Sequence, residues 1–275
     1  MRGASGLGVA AVLRGLVCLG LVAALLALAG CATPAGTSAT GADPITESDE
    51  SPARKRARIR TELAVGYFEE GRTEVALDEV KQALGHDPLY APAYNLRGLI
   101  YLRLSDPRQA EDSFRRALAL NPRDPDTLHN YAWMMCGQGR HDEAERAFGQ
   151  ALASPVYPAR ARTYLAQGVC QARAGRLTQA QDSLTRAYEL DASNPLTGYN
   201  LAQLLYRQGE LPRARFYIRR LNNSDSANAE SLWLGIRVER RLSDTVAMQQ
   251  LADQLRKRYP QSRELTAYDK GIFDE

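Results

Sequence analysis

The sequence has few of the residues from which catalytic and metal centres are built. Of its 275 residues, three are histidine and four are cysteine. We expect the three histidines to lie in different structural contexts; they are His86, His129 and His141. No cysteine is separated from a histidine by the spacing that metal ligands have. The patterns His-Glu-x2-His, Gly-x4-Gly-Lys and Gly-x-Ser-x-Gly are absent. We therefore expect no catalytic residue, no metal site and no enzymatic activity.

A strong excess of one charge is also missing. The chain has 35 Lys and Arg residues against 32 Asp and Glu residues, a formal net charge of +3. Nucleic-acid binding needs a concentrated basic face. A composition with nearly equal numbers of basic and acidic residues does not indicate such a face. The expected partner is therefore another protein, with neither nucleic acid nor a small-molecule substrate.

One continuous apolar run lies at the N-terminus, over residues 16–29, after Arg2 and Arg14. It is short for a membrane span but suits the core of an export signal. The run ends in Leu-Ala-Gly-Cys31, which resembles the bacterial lipobox. The resemblance implies that residues 1–30 are a lipoprotein signal peptide and that Cys31 carries a covalent lipid such as palmitate, the only added group expected. A plain secretory signal with an incidental cysteine is the alternative.

Residues 31–56 are predicted to be a lipidated N-terminus and disordered tether, because Ala, Thr, Ser, Gly, Pro and acidic residues leave little to bury. Ala32 follows the cysteine instead of the Asp that resembles an inner-membrane retention signal. We therefore expect the protein on the periplasmic face of the outer membrane, held there by lipid. The tether ends in basic residues that are either a solvated first helical turn or a contact for anionic lipid or an acidic partner. These residues are Arg54, Lys55, Arg56, Arg58 and Arg60.

The remaining sequence repeats every 34 residues. In residues 91–124, Gly98 and Ala110 are the small residues at which two antiparallel helices would touch, and Pro122 would stop the second helix. Because one helical hairpin cannot bury its apolar face alone, the copies are expected to stack. The other copies span 57–90, 125–158, 161–194 after a two-residue insertion, 195–228 and, more weakly, 229–262.

This pattern is similar to the tetratricopeptide repeat, whose Ala-x3-Phe signature is present at Ala110/Phe114 and Ala144/Phe148. The predicted fold class is all-α, a right-handed superhelical solenoid of six helix-turn-helix repeats over residues 57–262. Residues 263–275 are then a C-terminal tail. An ordinary helical bundle would share the helical spacing but not the 34-residue register.

Cys136 and Cys170 remain once Cys18 leaves with the signal peptide and Cys31 takes lipid. They lie on the first helices of the third and fourth repeats. Because first helices of neighbouring repeats stack side by side, we predict a disulfide between them in an oxidising compartment. The alternative is two small buried thiols that only pack.

We predict a partner-binding groove on the concave face, which the first helices line. Positions two, five, nine, twelve and thirteen of each repeat are expected to point into it. The groove is apolar and aromatic, which suits the apolar face of a peptide, while Arg103, Arg173, Arg207 and Arg240 would contact its polar side. Alternatively, half of these residues are core between repeats. The predicted groove residues are Val65, Phe68, Asn95, Leu99, Leu102, His129, Trp133, Leu165, Val169, Tyr199, Gln203, Tyr206, Trp233 and Arg237.

Three stretches carry a narrower resemblance, residues 156–169, 234–237 and 258–262. Together with the lipobox, tether and six repeats, they resemble the type IV pilus biogenesis lipoproteins of the PilF/PilW family, the secretin pilotins. The resemblance covers residues 31–262. It implies that the protein binds the pilus secretin subunit and promotes its outer-membrane localisation and multimerisation.

Arg60 departs from the family's repeat pattern, because a large apolar residue is usual at its position in the first repeat, where partner contact is expected. Two other functions fit the same anchor and repeats. One is a tetratricopeptide-repeat lipoprotein scaffold for other envelope machinery, such as cell-wall synthesis or outer-membrane protein insertion. The other is a soluble chaperone, which requires that Cys31 is not acylated.

Overall fold

The computed structural model describes residues 49–273. The predicted signal peptide, Cys31 and most of the predicted tether lie outside these residues. The described part contains thirteen α-helices and no β-strand. None of these helices has the length and apolar character needed to cross a membrane. In chain order they are α1 (Pro52–Glu69), α2 (Thr73–His86), α3 (Ala91–Arg103), α4 (Pro107–Leu120), α5 (Pro125–Gly137), α6 (His141–Leu152), α7 (Arg160–Arg173), α8 (Leu177–Leu190), α9 (Pro195–Gln208), α10 (Leu211–Asn222), α11 (Ala229–Arg241), α12 (Thr245–Arg258) and α13 (Arg263–Asp269).

The helices α1 to α12 form six antiparallel hairpins, which confirms the predicted solenoid of six repeats. Each odd-numbered helix up to α11 packs most extensively against the helix that follows it. The first helices of neighbouring repeats also pack on each other, from α1 on α3 to α9 on α11, whereas the backbones of neighbouring second helices lie further apart. The first helices therefore line the inner, concave side, and their exposed side chains form the candidate binding surface.

The turn inside each hairpin has the same backbone conformation in all six repeats. The residue at position fifteen has a positive φ, between 59° and 81°. Four repeats place glycine there, which adopts this region without steric cost, while Ser105 and Ser243 hold the equivalent positions. The second helix then begins within two residues, and Asp106 and Asp244 cap it by accepting the backbone N–H groups of Gln109 and Ala247. The 34-residue register thus sets where every hairpin turns.

Small residues allow the two helices of a hairpin to approach. Position twenty is alanine in five repeats, and each of these alanines is completely buried: Ala76, Ala110, Ala144, Ala180 and Ala214. The opposing helix supplies Gly98 in the second repeat and Gly168 in the fourth. Phe114 lies fully buried against Gly98, so a Cβ atom at residue 98 would come within 2.5 Å of the aromatic ring.

Replacing Gly98 with alanine is therefore expected to destabilise the protein by about 1–3 kcal/mol, because the Phe114 ring must move within a close-packed core. Gly66 provides a matched control. It also lies inside a first helix, but a Cβ atom there would meet nothing within 4 Å. Gly66→Ala should stabilise the protein by about 0.5–1 kcal/mol through helix propensity. Urea unfolding followed by circular dichroism measures both, and equal shifts for the two variants would contradict the close contact.

Both ends of the solenoid extend beyond the predicted boundaries. Helix α1 begins at Pro52, so the last residues of the predicted tether, 52–56, are helical and not disordered. Arg60, the departure from the repeat pattern, pairs with Glu79 of α2 at 2.7 Å. The predicted C-terminal tail contains α13, which Ser262 caps and which packs against α11 and α12. This short helix covers apolar surface that the last repeat would otherwise expose.

Candidate functional site

A concavity of about 370 Å³ lies on the inner face where α5, α7 and α9 stack. Its apolar wall is formed by Trp133, Leu165, Val169 and Leu196 with Ala166. Two of these side chains are well exposed, Trp133 at 39% and Leu196 at 63%. The polar residues of the concavity are His129, Arg162, Arg173 and Asn200. Exposed apolar surface bordered by cations is suited to a peptide that carries both apolar and acidic side chains.

A second concavity of about 260 Å³ adjoins the first along α7 and α9. The two share Val169, Arg173 and Asn200, and the second adds Gln203 and Arg207. Together they make one continuous surface, which we call the central groove. Neither Arg173 nor Arg207 forms an ion pair within residues 49–273, and the Arg173 guanidinium lies 5.1 Å from the centre of the Trp133 ring. Both cations are therefore available to a bound carboxylate.

His129 forms the floor of the central groove and is neutral there. Its Nδ1 lies 2.9 Å from the Thr163 hydroxyl, and its ring meets Phe148 edge-on at 6.0 Å. Burial, reinforced by the nearby positive charge of Arg162, lowers the pKa of His129 from 6.5 to about 4. This histidine therefore fixes the groove floor through a hydrogen bond and adds no charge at neutral pH.

The predicted groove residues at the two ends of the solenoid form local contacts with the chain itself. Arg103 stacks on Phe68 at 3.6 Å and donates a hydrogen bond to the Phe68 carbonyl oxygen. Arg241 repeats this arrangement on Tyr206, with a ring distance of 5.0 Å and a hydrogen bond of 3.0 Å. In both cases the arginine lies 35 residues after the aromatic residue, on the first helix of the next repeat. It stacks on the aromatic ring and donates a hydrogen bond to a carbonyl oxygen at the C-terminal end of the preceding first helix. Arg103, expected to contact a partner, thus links the first two repeats.

In the sixth repeat, the chain covers the predicted groove with its own C-terminal segment. Phe273 stacks on Trp233 with a centroid distance of 5.3 Å and an angle of 22° between the rings. The Arg240 guanidinium lies 4.0 Å from the Phe273 ring, and Arg237 contacts Tyr206 and Trp233. Trp233, Arg237 and Arg240 are therefore engaged within the chain.

The remaining predicted residues divide between surface and core. Val65 is 38% exposed on α1, whereas Leu99 and Leu102 pack partly buried against the core of the second and third repeats. Asn95 accepts a hydrogen bond of 3.0 Å from Asn130. Tyr199 is partly buried against the core of the fourth and fifth repeats, and burial raises the pKa of its phenol. The structure thus brings five residues of the predicted set into the central groove, His129, Trp133, Leu165, Val169 and Gln203.

The predicted set lacks four residues of the first concavity, Arg162, Ala166, Leu196 and Asn200. Arg162 and Leu196 occupy position two of the fourth and fifth repeats, one of the positions assigned to the groove, so the same rule applied consistently names both. Ala166 and Asn200 lie at position six, which is four residues after position two and three residues before position nine. Residues at this spacing share one face of an α-helix, so position six faces the groove beside the assigned positions. Their exposure to the groove depends on the angle between repeats.

Cys136 and Cys170 join α5 to α7 through a disulfide, with Cα atoms 5.8 Å apart. Both side chains are 3% exposed. The two-residue insertion therefore does not prevent the cysteines from meeting across neighbouring first helices. His141, at the start of α6, lies beside them, with its Nδ1 3.6 Å from the Cys170 sulfur.

Comparisons with known proteins agree with the repeat architecture. Family models described as tetratricopeptide repeat match residues 91–124, 113–146, 137–195 and 171–233. The type IV pilus assembly protein PilF of Pseudomonas aeruginosa is 29% identical over 226 residues, which cover 80% of this chain and 90% of that protein.

Two solved structures are similar in fold and in sequence. The structure of Pseudomonas aeruginosa PilF matches with a TM-score of 0.73 and 27% identity, over 80% of this chain and all of that one. The structure of PilW, described as a widely conserved type IV pilus biogenesis factor, matches with a TM-score of 0.72 and 29% identity. That match covers 77% of this chain and 97% of PilW.

Proposed function

Because this chain is a tetratricopeptide-repeat protein of the PilF/PilW type, we propose that it acts in type IV pilus biogenesis by holding a segment of a pilus assembly protein in its central groove. The observation that carries this proposal is the exposed apolar wall of Trp133 and Leu196 beside Arg173 and Arg207. A groove of this composition suits protein binding.

The physical basis of binding is burial of the apolar wall. A partner side chain that covers Trp133 and Leu196 removes apolar surface from water, at about 25 cal/mol for each Å². Aromatic and arginine residues are the usual sites at which binding energy concentrates, and Trp133 and Arg173 stack on each other in the groove. A carboxylate on the partner would pair with Arg173 or Arg207 and fix the orientation of the bound segment.

We further propose that the partner is the pilus secretin subunit. Lipid on Cys31 would hold the solenoid at the periplasmic face of the outer membrane. An anchored binder raises the effective concentration of captured subunits at that membrane, which favours their localisation and multimerisation there. The lipobox resemblance and the similarity to PilF and PilW support this form of the proposal.

The test is a gene deletion complemented with groove variants, read as SDS-resistant secretin multimers in membranes separated by density. Deletion is expected to remove the multimers, or to shift them to the inner membrane, while secretin monomers persist. Leu196→Asp should restore few multimers, because it places a charge in the apolar wall beside Trp133. Val246→Asp is the matched control, since Val246 is 65% exposed on α12, outside the groove, and it should restore multimers fully.

Unchanged multimers in the deletion strain would contradict the secretin proposal. The protein would then be assigned to other envelope machinery, such as cell-wall synthesis or outer-membrane protein insertion, and crosslinking through the central groove would identify the client. Full activity of Leu196→Asp alongside a deletion defect would instead contradict the groove as the binding surface. Metabolic labelling with palmitate tests Cys31 separately, because an unlabelled protein would contradict the anchor alone.

A further inference from the structure

Cys136, Cys170 and His141 converge outside the central groove, at the junction of α5, α6 and α7. Their ligand atoms, two sulfurs and a ring nitrogen, all lie within 4.8 Å of one another. The sequence predicts no metal site because these residues are 5, 29 and 34 positions apart. We propose that, when the disulfide is reduced, these three side chains bind a borderline-soft divalent metal ion of the Zn²⁺ class. This inference is independent of the proposed pilus function.

The distances suit tetrahedral coordination. A Zn²⁺ ion binds sulfur at about 2.3 Å and imidazole nitrogen at about 2.0–2.1 Å, so two such ligands of one tetrahedral ion lie about 3.6 Å apart. The Cys170 sulfur and the His141 Nδ1 are 3.6 Å apart. Two thiolates on the same ion would lie about 3.8 Å apart. The Cys136 and Cys170 sulfurs reach that separation by side-chain rotation, because their Cα atoms are 5.8 Å apart.

The charge balance also favours this ion over two free thiolates. Both cysteines are buried, and an uncompensated thiolate in an apolar core is costly. Two thiolates and a neutral imidazole around a divalent cation form a group with no net charge. His141 is only partly buried, so an ion and a completing water have a path from solvent. Thiolate and imidazole ligands together select Zn²⁺ over Mg²⁺ or Ca²⁺, which prefer oxygen.

Metal binding and the disulfide exclude each other. A dithiol reductant supplies two electrons and two protons to the sulfur–sulfur bond and becomes a disulfide itself, which leaves Cys136 and Cys170 as thiols. The ion then displaces one proton from each thiol and accepts the His141 Nδ1 lone pair. The same holds for a newly made chain that has not yet been oxidised. The junction thus has two alternative crosslinks, a disulfide or a metal ion.

Co²⁺ serves as the spectroscopic probe for this site. The protein is the full chain in detergent with Cys18→Ser and Cys31→Ser, so that Cys136 and Cys170 are its only thiols. After reduction and anaerobic removal of the reductant, Co²⁺ should produce thiolate charge-transfer absorption and the visible bands of tetrahedral cobalt, at one ion for each chain. Zn²⁺ should then displace it. The oxidised protein should show neither absorption, because its sulfurs are bonded.

Two histidine variants separate coordination from packing. His141→Ala should weaken Co²⁺ binding by more than about tenfold, and His141→Asn serves as a second variant. His86→Ala, at the exposed end of α2, should bind as the parent does. Far-ultraviolet circular dichroism verifies that each chain remains helical. Absence of thiolate–cobalt absorption in the helical, reduced parent would overturn the proposal, as would unchanged affinity in both His141 variants.

Discussion

Replacing Arg215 and Arg219 together with methionine is expected to lower the free energy of unfolding by about 3–5 kcal/mol. The Glu239 carboxylate of α11 is completely buried, and the two arginines of α10 pair with it at 3.1 Å and 2.7 Å. Without them, a charged group would remain in the core with no compensating cation. Urea unfolding followed by circular dichroism measures the loss.

A third substitution tests the cause. Adding Glu239→Gln to the double variant should recover most of the lost stability, because it removes the uncompensated charge and keeps the shape of the side chain. Arg256→Met is the matched control. Arg256 pairs with Asp253 and Asp269 at the surface, where an ion pair contributes about 1 kcal/mol at most. If the double variant loses no more unfolding free energy than this control, the ion pairs of Arg215 and Arg219 with Glu239 do not hold α10 and α11 together.

Acidification should destabilise the protein through His129. The unfolded chain binds a proton at this residue near pH 6.5, whereas the folded protein, in which the pKa of His129 is lowered to about 4, does not. Between these two pH values the unfolded state holds more protons, so stability falls as the pH falls, by about 1.4 kcal/mol for each pH unit. The wild-type protein should therefore lose about 3 kcal/mol more than a His129→Gln variant by pH 4. Above pH 6.5 this difference should not change with pH.

Urea unfolding at a series of pH values measures this difference. Because the acidic groups titrate in both proteins, subtracting the unfolding free energy of His129→Gln from that of the wild type removes their contribution. Arg176 lowers the pKa of Asp142, and a hydrogen bond from the Ala247 backbone N–H lowers the pKa of Asp244. Both carboxylates contribute the same pH dependence of stability to the wild type and to the variant. Parallel curves for wild type and His129→Gln would show that the groove floor does not exclude the proton.

The helical hairpin is readable from sequence because the contacts that define it are local. Gly98, Ala110 and Phe114 meet within one repeat, and their spacing alone predicts the approach of α3 and α4. The 34-residue period then predicts that the hairpins stack, and the structure confirms this. The repeat pattern does not predict the ends, because the start of α1 at Pro52 and the helix α13 depend on what covers the terminal repeats.

The groove depends on contacts between repeats, which a repeat pattern does not specify. Phe68 and Trp133 both occupy groove positions of a first helix, yet Arg103 covers Phe68 while Trp133 remains exposed. An arginine of the next repeat also stacks on Trp133, but it is Arg173, 40 residues later, and it leaves the ring 39% exposed.

The repeat, its register, the buried small residues and the family follow from the amino-acid sequence, because burial within each hairpin has a fixed period along the chain. The stacking of the repeats sets which exposed side chains share a surface. Trp133, Leu196 and Arg173 form one groove, and Cys136, Cys170 and His141 form one cluster, because the stacking of α5, α6, α7 and α9 brings distant positions together. The small rotation between neighbouring repeats sets these distances, and it arises from packing across the whole stack.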